Sequence, residues 1–185
     1  MIPRMKICSR QQSSINELEI ILDSCSVELH HVDEVWPRVY LGDLLIAKDK
    51  EELKRLGITH VLNVAHASWE CTDLIVYDKK IHYYGITAED CPEFDISVYF
   101  HPAAEYIHNA ISMPEGKILV HCVLGKSRSA SMVLAYLMIY HHLSLEDAIR
   151  KVIQHRAISP NRGFLKHLQD LDIQLRGQIQ ICKLV

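Results

Sequence analysis

The chain has 185 residues, 49% of them hydrophobic and 23% charged, with a formal charge of −3. That composition predicts one folded domain whose apolar core needs no disulfide staples, and it excludes a general attraction to nucleic acid or anionic membranes. No apolar stretch is long and uninterrupted enough to cross a bilayer, and residues 1–14 lack the apolar centre of a secretory signal, so the expected location is cytoplasmic, with the nucleus as a second compartment. In such a reducing setting the six scattered cysteines, none in a CxxC pair, read as buried thiols or as chemistry.

Ser14-Ile15-Asn16-Glu17 has the S-x-x-E spacing of a capping box and opens a short helix to about Asp23. Residues 35–41 read as one strand, pushed towards a sheet edge or strand end by Pro37. A charged helix over 49–56 stops at Gly57, and 58–64 is a β-branched run of buried-strand length. Residues 73–86 predict a strand pair, with Tyr77, Ile81, Tyr83 and Ile86 supplying apolar faces. Helical spacing returns over 97–111, where Pro102 either kinks the helix or starts its second part. A central strand follows at 117–121, then a helix over 127–140 that is apolar almost all round and therefore buried. Residues 145–155 and 164–175 predict amphipathic helices, the second capped by Asn161. Strands alternating with helices indicate an α/β architecture with helices covering a central sheet.

The chemistry concentrates in His121-Cys122-Val123-Leu124-Gly125-Lys126-Ser127-Arg128-Ser129, where a buried strand passes through a short loop into a buried helix. That junction aims backbone N–H groups and a helix N-terminus at one point, which makes an anion site. Gly125 lets the backbone turn tightly, and the planar guanidinium of Arg128 can hold two phosphate oxygens at once. Cys122 stands at the strand end facing this cradle, in surroundings that favour a thiolate. A thiolate under a phosphate cradle is a phosphoryl acceptor. His121 lies next to Cys122 on a strand and so points to the other face; its expected role is to bond the backbone and shape the loop. Ser129 is placed to donate to the sulfur and help it leave. Cleavage of a phosphate ester also needs a proton for the departing oxygen. Glu89, Asp90, Glu93 and Asp95 all lie on one loop, and spacing does not choose among them.

These strings resemble the protein tyrosine phosphatase superfamily in its atypical dual-specificity branch, nearest to the muscle-type members and their sisters. The resemblance extends over nearly all of 32–175 and includes Val61-Leu62-Asn63, Glu89-Asp90, Phe94-Asp95-Ile96-Ser97, Ala135-Tyr136-Leu137-Met138 and Ser159-Pro160-Asn161-Arg162-Gly163-Phe164-Leu165. It implies a mixed five-stranded sheet flanked by helices, no metal and no cofactor. Carried over residue by residue, it implies Cys122 as nucleophile, Arg128 as phosphate clamp, Asp90 as general acid and Ser129 as leaving-group helper. Val123, Leu124, Gly125, Lys126 and Ser127 become the substrate-binding loop, and Arg156 the contact for a second anionic group on the substrate. Residues 1–30 would be an extension bearing a short helix, 31–176 the catalytic domain and 177–185 a tail.

The implied activity is hydrolysis of phosphotyrosine and phosphoserine or phosphothreonine on proteins, through a thiophosphoryl-cysteine intermediate. The implied partners are phosphoproteins, with protein kinases as further candidates, and the expected state is a monomer or weak dimer without nucleic acid or membrane. The alternative from another class is a phosphatase-fold scaffold of low turnover that binds kinases or phosphoproteins. Cys91 reads as a half-exposed loop thiol, and the pairs His30-His31 and His141-His142 as surface residues rather than metal ligands.

Overall fold

The computed structural model describes residues 12–66, 77 and 80–182, with 178–182 described by backbone alone. The elements in chain order are α1 (Ile15–Asp23), β1 (Val32–Trp36), β2 (Val39–Gly42), α2 (Leu44–Lys48), α3 (Lys50–Leu56), β3 (His60–Asn63), β4 (His82–Gly85), a 3₁₀ turn (Ile96–Tyr99), α4 (Phe100–Ser112), β5 (Ile118–His121), α5 (Arg128–His141), α6 (Leu145–Val152) and α7 (Arg162–Cys182).

The sheet is five-stranded in the order β1-β2-β5-β3-β4. β1 and β2 pair antiparallel, while β2, β5, β3 and β4 run parallel. Alternate residues of the central strands go to opposite faces, as the pleat requires. Ile118 and Val120 join the larger core beneath α4 and α5, and Leu119 joins Tyr40, Ile46, Leu53 and Val61 in the smaller core beneath α2 and α3. Both faces are therefore covered, which explains continuous apolar runs in place of alternation. The connection from β2 to β3 crosses one face and the connection from β4 to β5 crosses the other. β5 thus lies at the switch point of the sheet, and its carboxyl end is where an open α/β sheet holds a ligand.

Local signals behave as their chemistry dictates. Ser14 and Glu17 make the reciprocal capping box of α1, Asp49 caps α3, and Gly57 ends it at φ 74°. Pro102 lies in the first turn of α4, so it starts the second part of a 3₁₀-to-α run. The single strand expected over 35–41 is a hairpin instead: Trp36 pairs Val39 around Pro37-Arg38, and Arg38 takes φ 68°. α2, capped by Asp43, fills the stretch between the expected strand and the charged helix, for which no element is predicted. Of the strand pair expected over 73–86, β4 is present, and the earlier partner falls on residues outside those described. α7 continues to Cys182, past residue 176 where a tail was expected. α1 buries Leu18, Ile21 and Leu22 against the main core, so the N-terminal helix packs on the domain.

Candidate active site

The loop from Cys122 to Ser127 is held from outside by its carbonyls. Val123 O accepts from Leu44 N at 3.0 Å and Lys126 O from Ser159 N at 2.8 Å, while Ser127 O takes the first helical bond of α5 from Ser131 N at 2.9 Å. Gly125 O and Leu124 O accept from Arg156 Nε at 3.0 Å and Nη2 at 3.4 Å. In a planar trans peptide the N–H points opposite to the preceding carbonyl, so carbonyls bonded outward turn the loop amides inward. Gly125 N–H shows this directly, donating to Cys122 Sγ at 3.3 Å. Gly125 is the pivot, with φ 68°, and a Cβ on it would collide with the Gly42 carbonyl. Ser127, the N-cap of α5, makes no side-chain cap bond, so the first-turn amides of that helix are left for an anion.

Cys122 sits on the cradle floor, 2% exposed. Its sulfur also accepts from Ser129 Oγ at 3.2 Å. Two donors and a helix N-terminus stabilise negative charge there. His121 does not bond the sulfur: its Nδ1 lies 3.2 Å from the Cys122 carbonyl. Burial pushes its pKa down to about 4, against the pull of that carbonyl and of Asp43. A neutral ring can donate from Nδ1 to that carbonyl at the start of the loop.

Arg128 is buried at 3%, with Nη1 3.3 Å from the Ala88 carbonyl and Nε 3.5 Å from Asp90 Oδ2. Asp90 is the loop carboxylate that reaches this side of the cradle, its Oδ1 accepting from Ser127 Oγ at 2.7 Å and Asn161 Nδ2 at 2.9 Å. Asp95 is taken up capping the 3₁₀ turn through Ser97 N, and Glu89 and Glu93, exposed like Asp90, have no hydrogen bond to the cradle among those described.

The structure differs for Arg156. Rather than facing a second anionic group, it is fully buried, paired with Asp33 Oδ2 at 2.6 Å and bonded to His30 O at 2.7 Å as well as to the loop carbonyls. It builds the cradle from behind. No sequence signal linked it to Asp33, 123 residues away. Asn161 was legible as a helix cap, but not as a partner of Asp90. Leu124 is 67% exposed at the loop, while the hydroxyl of Ser127 is turned to Asp90. Cys91 is a half-buried free thiol. Among the described residues no group of three or more His, Cys, Asp or Glu could hold a metal ion; the exposed His30 and His31 bond Asp33 and Asp43.

Comparison with known proteins gives the same picture. Residues 39–174 match the model of the dual specificity phosphatase catalytic domain. Dual specificity protein phosphatase 26 of Homo sapiens is 53% identical over 167 residues, covering 90% of this chain and 79% of that protein. The crystal structure of human DUSP28 superposes with a TM-score of 0.72 at 28% identity, covering 82% of this chain and 99% of that one. A mouse putative dual specificity phosphatase complexed with zinc tungstate gives 0.73 at 28% identity, covering 83% and 95%. The chain belongs to the dual specificity phosphatases and is a cysteine-based dual-specificity protein phosphatase.

Proposed function

We propose that Cys122 is the nucleophile of a two-step hydrolysis in which Asp90 moves the protons. In the first step Sγ attacks phosphorus and the P–O ester bond breaks, with the Asp90 proton passing to the departing oxygen. In the second, the Asp90 carboxylate takes a proton from water as the water oxygen attacks phosphorus. The S–P bond breaks, and inorganic phosphate and the thiolate are released. The loop amides and Arg128 hold the equatorial oxygens as charge shifts among them, and Ser129 stabilises the sulfur as it leaves. The observation that carries this reading is the sulfur bonded by Gly125 N–H and Ser129 Oγ at the mouth of an uncapped helix. Tungstate in the mouse relative is a tetrahedral oxyanion of phosphate shape, and its presence there supports an oxyanion cradle here.

The substrates in this reading are phosphotyrosine and phosphoserine or phosphothreonine on proteins, with kinases among the candidate partners and a monomer or weak dimer as the working form. A nucleophile that must stay a free thiol suits a reducing compartment, cytoplasm or nucleus. The test is rapid-quench labelling with a ³²P-phosphotyrosine peptide and a ³²P-phosphothreonine peptide. Label should appear on wild-type protein during turnover of both peptides and be absent from Cys122→Ser. Label retained by Cys122→Ser would remove the nucleophile from this account.

A further inference from the structure

The acid loop has a seat of its own. Asn161 caps α7, its Oδ1 accepting from Phe164 N at 3.0 Å. With the oxygen committed to the helix, the amide can turn only its Nδ2 towards Asp90, where it donates to Oδ1 at 2.9 Å. The backbone N–H of Asn161 donates to Ser127 Oγ at 3.1 Å, and that hydroxyl donates to the same Asp90 Oδ1 at 2.7 Å. Asn161 therefore grips Asp90 twice, directly and through Ser127. Beside it, Gly163 lies so close to the Pro92 carbonyl that any Cβ would collide, so the loop carrying Asp90 rests on the start of α7.

We infer that Asn161 is the positioning residue of the general acid, clamping Asp90 Oδ1 so that Oδ2 is left to carry the proton to the leaving oxygen. The inference rests on the reading of Asp90 as the acid. Its chemistry is simple: an oxygen that accepts from both Asn161 and Ser127 has its lone pairs occupied, and the proton of the neutral acid goes to the other oxygen. That other oxygen lies on the Arg128 side, 3.5 Å from Nε, and carries no other side-chain donor among the contacts described.

The experiment is a series of aryl phosphates of rising leaving-group pKa, with log kcat/KM plotted against that pKa for wild type, Asn161→Ser, Asn161→Asp, Asp90→Ala and the Asp90→Ala/Asn161→Ser pair. Serine and aspartate both keep a helix cap while removing the donor to Asp90, so the fold is retained and thermal melting checks it. An acid worth roughly 10²–10⁴-fold keeps the wild-type line nearly flat. Both Asn161 variants should steepen it, losing about tenfold or more for the most basic phenols and, in Asn161→Ser, less than about twofold for the most acidic, with vanadate affinity unchanged in Asn161→Ser. In the Asp90→Ala background Asn161→Ser should add nothing, since the pair acts through one proton. A parallel drop along the whole series, no change at all, or losses that add to those of Asp90→Ala would overturn the positioning role. If Asp90→Ala itself leaves the slope flat, the acid assignment fails first, and this inference with it; a steep Asp90→Ala line beside a flat Asn161→Ser line sinks this inference alone.

Discussion

Replacing Asp33 with alanine should destabilise the protein by about 3 kcal/mol, the low end of the roughly 3–5 kcal/mol for removing one partner of a buried ion pair. The reason lies behind the cradle. Arg156 is fully buried and Asp33 is 12% exposed, and their 2.6 Å contact is the charge partner that compensates the guanidinium. The carbonyls of Gly125, Leu124 and His30 would remain to it, which is why the low end applies. Urea denaturation read by circular dichroism measures the loss. Arg156→Met added to Asp33→Ala should recover part of it, because no charge is then left buried. It should lower vanadate affinity, because the Gly125 and Leu124 carbonyls then lose their donor. A loss below about 1 kcal/mol for Asp33→Ala would refute the buried-pair reasoning. So would an Arg156→Met variant whose affinity falls only for substrates bearing a second anionic group, since that would return Arg156 to the substrate.

Three further outcomes follow from the same geometry. Gly125→Ala combines a φ of 68° with a Cβ driven into the Gly42 carbonyl; it should cost about 2–4 kcal/mol and most of the vanadate affinity, and a variant with wild-type melting and affinity would contradict the pivot role. His121 is held neutral by burial, its pKa down from 6.5 to about 4. The unfolded chain then binds the proton first, and stability falls as pH drops from about 6.5 towards about 4. Between pH 7 and pH 5 wild type should lose about 2 kcal/mol relative to His121→Gln, and denaturation curves that keep a constant gap would show that His121 is not the proton binder. Ser129→Ala removes a donor 3.2 Å from the sulfur, so the second step should slow and stopped-flow traces should show a burst of leaving group; a linear trace at the wild-type rate would deny Ser129 its part.

Local chemistry made much of this molecule legible in sequence. The capping box at Ser14, the Gly57 stop, the buried run into Cys122 and the apolar helix after it all depend on residues within a few positions of one another, and the structure places them as the sequence reading expects. The hairpin at Pro37-Arg38 was missed because its left-handed position is filled by arginine, where turn chemistry leads one to look for Gly, Asn or Asp. α2 is five residues long, too short to show a period. The deeper misses are non-local. Arg156 meets Asp33 across 123 residues and Asn161 meets Asp90 across 71, and neither contact leaves a trace in the spacing of nearby residues. A buried arginine and an exposed one look alike in sequence, so the resemblance carried Arg156 to the substrate while packing took it behind the loop.

The central claim is that Cys122 carries the reaction without a metal, and one measurement tests it most directly: hydrolysis of a small aryl phosphate by freshly reduced wild type and Cys122→Ser, with chelator present and vanadate as competitor. Turnover should survive chelation, be blocked by vanadate and be lost in Cys122→Ser. Turnover retained by Cys122→Ser, or a folded and reduced wild type that binds vanadate yet turns over nothing, would contradict it.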